Sequence, residues 1–305
     1  MRAFYAGRTI AVTGASGFLG SHLVERLLEL GARVVAIDTA PPAPPPAGSA
    51  DLLRTVRMDI TDREGLTTLL DEERPEVLFH LAAIASPRAC ARDFATAYRV
   101  NVEGTHHVLA ASPRVPHFVF LSSAAVYGAP VTLPMSESHP LLGRDPYAVT
   151  KIMAELLVEN SAANYGRRCS IVRNFNAFGP RQPTEYVIPS VIQQALSTGR
   201  IEIWNGAPVR DLMFVDNTED AVLTIGAQSG AGTYNVGSGR GVRMGDLAQM
   251  IAKKVGPDVP VADLGKALTG SPALVADVQR LTDLGWRETV PFDVGLDRTV
   301  AWYRG

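Results

Sequence analysis

Short apolar runs alternate with longer stretches of helical spacing through the first 175 residues. Thr9 to Thr13 predicts a short buried strand, and Phe18 to Leu30 carries apolar residues at helical intervals. The pattern repeats with strands predicted at Arg33 to Ile37, Thr55 to Met58, Glu76 to His80, His117 to Leu121 and Cys169 to Arg173. Helices are predicted between them at about Asp62 to Glu73, Asp93 to Ala111 and Tyr147 to Tyr165. Apolar strands without alternation, separated by helices, imply a parallel sheet covered on both faces.

The rhythm breaks after Asn176. Gly179-Pro180-Arg181-Gln182-Pro183 interrupts it, Pro189 opens a helix to about Thr198, and later elements are shorter. The expected fold is α/β: a doubly wound, Rossmann-like parallel sheet over residues 1–175 plus about 206–237, and a smaller C-terminal substrate-binding α/β domain over about 176–205 plus 238–305. The piece from about 210 to 236 is expected to return to the main sheet. Pro41-Pro42-Ala43-Pro44-Pro45-Pro46 reads as a stiff surface loop.

Composition narrows the class. The chain has 305 residues, 46% hydrophobic and 20% charged, with a formal net charge of −2. That balance offers no basic field for nucleic acid or an anionic membrane. Cys90 and Cys169 stand far apart with no CxxC, which suits a reducing compartment such as the cytoplasm and disfavours a disulfide scaffold or a zinc site. No metal is expected. The N-terminus lacks the apolar run and small-residue cleavage site of a signal peptide, and no stretch reaches eighteen apolar residues.

Gly14-Ala15-Ser16-Gly17-Phe18-Leu19-Gly20 lies between the first strand and the first long helix. A glycine turn there aims backbone N–H groups and a helix N-terminus at a dinucleotide diphosphate. Asp38 ends the second strand, eighteen residues past Gly20. A carboxylate in that place accepts ribose hydroxyls and repels a 2′-phosphate, so it favours NAD over NADP; it also reads as a strand-end turn cap. Asp59 and Ile60 follow the third strand, where Asp59 reads equally as an adenine contact or a helix cap.

Tyr147 and Lys151 are four residues apart and share a helical face. An ammonium beside a phenol favours phenolate, and the phenol needs a drop of about three pKa units from about 10 to act as a base near neutrality. Ser123 ends the fifth strand, where open α/β sheets place their sites. Its hydroxyl can bond a substrate oxygen and relay a proton. A dinucleotide site with a tunable phenol implies hydride transfer coupled to proton transfer on an alcohol or ketone.

These motifs come with His80-Leu81-Ala82-Ala83, Asn101-Val102-Glu103-Gly104-Thr105, Ser122-Ser123-Ala124-Ala125-Val126-Tyr127-Gly128, Arg173-Asn174-Phe175-Asn176, Gly179-Pro180-Arg181-Gln182, Arg210-Asp211 and Tyr234-Asn235-Val236-Gly237. Over nearly its whole length the chain resembles the extended short-chain dehydrogenase/reductases, in their nucleotide-sugar epimerase/dehydratase branch. The resemblance implies that Ser123, Tyr147 and Lys151 form the catalytic triad. It places Leu81, Ala82 and Ala83 beside the nicotinamide, makes Asn101 mainly structural, and gives Asn176 and Arg210 to the sugar nucleotide, with Arg210 on its diphosphate. Arg210-Asp211 reads otherwise as a surface ion pair. The resemblance also implies a homodimer built from helices near 93–111 and 147–165. Ala95, Ala97, Ala110, Ala111, Ala148 and Ala154 suit close helix approach or packing onto the chain's own sheet.

Three departures refine the expectation. The 4,6-dehydratases of the family carry Asp-Glu after the catalytic hydroxyl residue, and Ala124 and Ala125 stand there. The family's second phosphate-clamping arginine, ten residues before the aspartate matching Asp277, is Ala267, with Lys266 adjacent. The segment Trp204-Asn205-Gly206-Ala207-Pro208-Val209 before Arg210 is short, as in sugar 4-ketoreductases. The leading expectation is an NAD-dependent nucleoside-diphosphate-sugar epimerase at C4. The alternatives are an NAD(P)H-dependent nucleotide-sugar 4-ketoreductase and a non-catalytic dinucleotide-binding regulator, which needs no Tyr–Lys pair.

Overall fold

The computed structural model describes residues 1–228, 230–267 and 270–305. Its strands are β1 (Thr9–Thr13), β2 (Arg33–Asp38), β3 (Leu53–Arg57), β4 (Val77–His80), β5 (His117–Ser123), β6 (Arg168–Asn174) and β7 (Asn176–Phe178). They continue with β8 (Ile201–Ile203), β9 (Val209–Phe214), β10 (Gly232–Val236), β11 (Gly241–Arg243), β12 (Val261–Asp263) and β13 (Ala273–Leu274). The helices are α1 (Arg2–Tyr5), α2 (Phe18–Glu29), α3 (Arg63–Glu73), α4 (Pro87–Arg92), α5 (Phe94–Tyr98) and α6 (Gly104–Ala111). After them come α7 (Pro146–Tyr165), α8 (Val187–Thr198), α9 (Val215–Ala227), α10 (Met244–Val255), α11 (Gln279–Asp283) and α12 (Phe292–Arg304).

The chain forms two compact units. The first comprises 1–126, 141–173 and 219–234, and the second 127–140, 174–218 and 235–305. Residues 127–140 and 206–218 thus fall with the second unit, where the sequence pattern assigned them to the first.

The main sheet runs β10-β6-β5-β4-β1-β2-β3. The order reverses between β1 and β4, the switch point at which doubly wound sheets hold their ligands. β1 pairs in parallel with β2 and β4, with Val12 level with Ala36 and Phe79. β2 pairs with β3 and β4 with β5 in the same sense. Ile10, Ala11 and Val12 are fully buried, as are Val77, Leu78 and Phe79, which is why these strands read as unbroken apolar runs. Each such aliphatic side chain contributes about 1.5–3 kcal/mol of burial.

The stretch read as one helix over Asp93 to Ala111 is helical throughout but widens into a π turn at Arg99–Glu103, between α5 and α6. α4 is a six-residue helix that the apolar spacing did not reveal, capped by Ser86, whose hydroxyl accepts the Ala89 N–H. Helix α7 begins where Asp145 accepts the N–H of Ala148 at 3.0 Å and Pro146 takes the first position. It ends at Gly166, left-handed with φ +62°.

In the second unit β9 pairs in parallel with β7 and β13 and antiparallel with β11, and β8 pairs with β12. Only β10, of the piece from about 210 to 236, joins the main sheet. β9 stays in the smaller sheet because its buried Asp211 ties it there. That carboxylate accepts the N–H and hydroxyl of Ser238 and the N–H groups of Gly239 and Ala276, at 2.7 to 3.1 Å. No helix of the described residues is long and apolar enough to cross a membrane.

Candidate active site

The glycine turn fits a dinucleotide diphosphate for reasons visible in its backbone. Gly14 adopts φ +72°, and a Cβ there would lie 2.6 Å from the backbone nitrogen of Ala82. Its N–H reaches the carbonyl of Ile37 at 2.9 Å, which seats the turn over the ends of β1 and β2. Gly17 precedes α2 with no side chain to cap it, so among the described residues no side chain caps the first N–H groups of that helix, at Phe18 and Leu19. The Leu81 N–H donates to the Thr13 carbonyl and the Ala82 N–H to Thr13 Oγ1, which lays the 81–83 segment along the turn.

Asp38 is built into this cradle. One carboxylate oxygen accepts the N–H of Ser16 at 2.9 Å and the other the N–H of Ala40 at 3.1 Å. The strand-end cap is thus observed at Asp38, the residue expected to meet the ribose. Asp59 Oδ1 accepts both the N–H and the hydroxyl of Thr61, closing a short turn, while the cap of α3 is Asp62. Ile60 is buried and packs so closely on Gly104 that a Cβ there would lie 2.6 Å from its Cδ1.

Ser123 ends β5, and its Oγ accepts the N–H of Ala125 at 3.2 Å. Tyr147 is buried in the first turn of α7 against Cys90 and Ala97, with Ile84 and Ala125 packed on the same cluster. Ala125 therefore brings the Ser123 segment to the tyrosine. Lys151, one turn further on, donates from Nζ to the carbonyl of Leu121 at 2.8 Å, and its ammonium lies 4.8 Å from the centre of the Phe120 ring. Burial pushes the Lys151 pKa down to about 8, and Glu155 opposes that fall.

Asn101 sits in the π turn, and its side chain bridges two elements. Its carbonyl accepts the Ile84 N–H at 2.7 Å, and its amide donates to the Ile84 carbonyl and to Thr150 Oγ1. Thr150 in turn donates to the Tyr147 carbonyl at 2.8 Å, so Asn101 fixes the turn of α7 that carries the phenol. His80 lies behind it, fully buried. Thr105 donates to the Asn101 carbonyl and accepts from His80 Nε2, leaving Nδ1 to accept from Thr13. Burial, with Lys151 adding to it, lowers the His80 pKa to about 3, so the imidazole is neutral.

One turn past Lys151, the buried Glu155 receives Arg173 and Ser122. The guanidinium reaches its two oxygens at 2.8 to 3.2 Å, and the Ser122 hydroxyl also donates to it. The sequence pattern gives Glu155 no role, although its spacing from Lys151 places it on the same face of α7. Arg173 comes from β6 and becomes a neighbour only through folding.

Asn176 and Arg210 belong to the second unit, on the paired strands β7 and β9. The Asn176 amide donates to the Asp211 carbonyl at 3.1 Å. Arg210 donates to the carbonyls of Val209 and Ser271, each at 2.9 Å, and burial lowers its pKa. Asp211 faces away from solvent onto backbone donors, so the two residues are not a surface ion pair. Of the alanines on the predicted dimer helices, Ala97, Ala111, Ala148 and Ala154 are buried in the chain's own core, and Ala95 is exposed.

Comparison with known proteins gives the family. The family described as NAD dependent epimerase/dehydratase matches residues 10–237. The chain is 34% identical to a UDP-glucose 4-epimerase of Mycolicibacterium smegmatis, over 96% of this chain and 97% of that protein. It is 30% identical to a dTDP-glucose 4,6-dehydratase of Streptomyces griseus, over 96% of this chain and 93% of that one. The crystal structure of Thermus thermophilus UDP-glucose 4-epimerase complexed with NAD superposes with a TM-score of 0.86 at 28% identity, covering 97% of this chain and 99% of that chain.

Proposed function

The chain belongs to the NAD dependent epimerase/dehydratase family, and from that premise we propose that it is an NAD-dependent nucleoside-diphosphate-sugar epimerase acting at C4. Gly14, Gly17, Phe18, Leu19 and Gly20 receive the diphosphate of NAD, Asp38 its ribose, and Leu81, Ala82 and Ala83 its nicotinamide side. NAD, when bound, supplies a hydride acceptor that returns the hydride. Tyr147 as phenolate takes the proton of the C4 hydroxyl and later gives it back. Lys151 stabilises that phenolate, and its bond to the Leu121 carbonyl holds it in place. Ser123 bonds the reacting oxygen. The sugar becomes a 4-ketone, presents its other face and is reduced there.

The observation that carries the reading against dehydration is the residue pair after Ser123. Ala124 and Ala125 offer no acid or base to expel water, where the dehydratases of the family carry Asp-Glu. Arg210 suits the substrate diphosphate because its bonds to two carbonyls set the guanidinium plane, and its other N–H groups present a fork. Asn176 stands on the neighbouring strand. The relatives suggest UDP-hexoses as the first substrates to try.

The reading places the enzyme in the cytoplasm, where its free buried cysteines suit a reducing medium, and makes it a homodimer through α5 and α7, on which Phe94 and Leu156 are exposed. The test is to denature purified protein and identify the released cofactor by chromatography. About one NAD per chain is expected, with interconversion of UDP-galactose and UDP-glucose. An empty protein that oxidises NADH or NADPH with a 4-keto sugar nucleotide would make it a ketoreductase instead.

A further inference from the structure

We infer that Glu155 is a positioning residue of the site: held by Arg173 and Ser122 one turn beyond Lys151, its carboxylate favours the charged form of Lys151, and so keeps Tyr147 available as a base over a wider range of pH. The inference rests on the reading of Tyr147 and Lys151 as the reacting pair.

The geometry starts with α7. Tyr147, Lys151 and Glu155 follow one another at intervals of four and share a face. Two bonds stitch that face to consecutive residues of β5. Lys151 donates to the Leu121 carbonyl, and Glu155 accepts from the Ser122 hydroxyl. The next residue is Ser123. Glu155 is therefore joined to the same strand end that carries the reacting hydroxyl.

The charges need one another. Both Lys151 and Glu155 are almost wholly buried, and an ammonium removed from water favours its neutral form. A neutral Lys151 could not draw the phenol toward phenolate. The groups around it are His80 from β4, which is neutral, Phe120 from β5, which presents a ring face, the Leu121 carbonyl, and Cys90 from α4, which adds a smaller attraction than Glu155. Glu155 is the carboxylate whose attraction most opposes the loss of the Lys151 proton. Arg173 comes from β6 with its side chain 5% exposed. Its guanidinium lies against both oxygens of Glu155, so the two buried charges face each other directly. Glu159, one turn further, has its pKa raised by burial and by Glu155.

The experiment is a spectrophotometric titration of the NAD-loaded enzyme, with the phenolate of Tyr147 taken as the difference from Tyr147→Phe. It is run alongside kcat and KM against pH with UDP-galactose. Glu155→Gln is expected to raise the pH at which Tyr147 ionises by about one unit or more. It should narrow the kcat profile from both sides and leave KM within about twofold. Glu155→Asp should restore most of the shift. If Glu155→Gln does not fold, Glu155→Gln/Arg173→Gln removes both charges and is expected to show a smaller displacement of the same sign. A Tyr147 titration at its wild-type position in any folded variant lacking the carboxylate overturns the proposal and leaves Glu155 a packing role. A Tyr147→Phe enzyme with wild-type turnover refutes instead the reading on which the proposal stands, and the proposal with it.

Discussion

A Cβ on Gly20 would stand 1.9 Å from the carbonyl oxygen of Gly14. The third glycine is thus where α2 crosses the turn that begins at the first, and no side chain fits between them. Gly20→Ala must push the helix off the turn. Such overpacking lowers the unfolding free energy by about 1–3 kcal/mol and moves the N–H groups of Phe18 and Leu19. Thermal unfolding and the amount of NAD per chain check both effects together.

Asp38 reaches Ser16 in the turn and the start of the loop after β2 at Ala40. Removing it takes away the carboxylate proposed to favour ribose hydroxyls over a 2′-phosphate. Asp38→Ala should weaken NAD by about 1.5–3 kcal/mol, the size of a hydrogen bond to a charged group. It should weaken NADP less, so that the preference between them narrows. Calorimetric titration of cofactor-free enzyme with each cofactor measures it.

Tyr147→Phe keeps the ring among Cys90, Ala97, Ile84 and Ala125 and deletes only the hydroxyl. The fold and bound NAD should persist while kcat falls by about a hundredfold or more, the contribution of a general base. Steady-state kinetics with UDP-galactose, beside circular dichroism, separates lost chemistry from lost structure.

Two buried histidines make stability depend on pH. Burial holds the pKa of His80 at about 3 and that of His117 at about 4, both below the ordinary value. His117 sits between the Gly226 carbonyl and Ser170, with its ring neutral. The unfolded chain protonates both near pH 6.5, while the native state does not. Unfolding therefore takes up protons, and stability falls as pH drops from about 6.5 toward 4, by up to about 1.4 kcal/mol per pH unit for each group. Urea unfolding between pH 7 and about 5 should show this slope, and His117→Gln should remove its share.

What was legible in the sequence was what local spacing decides. Gly14, Gly17 and Gly20 crowd one turn, Asp38 follows within one strand, and Tyr147 and Lys151 are one helical turn apart, so their relation needs no tertiary knowledge. The apolar strands of the main sheet were legible because they are buried on both faces. The π turn at Arg99–Glu103 was not, since its apolar spacing matches an ordinary helix, yet it is what carries Asn101 to Ile84 and Thr150. Nor was the meeting of Glu155 with Arg173, eighteen residues away on another element. β9 read as a return to the main sheet because its apolar end resembles a core strand. Its place is decided by Asp211, whose partners Ser238, Gly239 and Ala276 lie far along the chain.

The central claim is that the cofactor is returned to its starting state in every cycle. The direct measurement is to incubate the NAD-loaded enzyme with UDP-galactose through many turnovers, following sugar composition by chromatography and reduced nicotinamide by absorbance. Steady conversion toward UDP-glucose is expected, with no net reduced cofactor and none consumed. Cofactor oxidised or reduced in proportion to the sugar converted would contradict it.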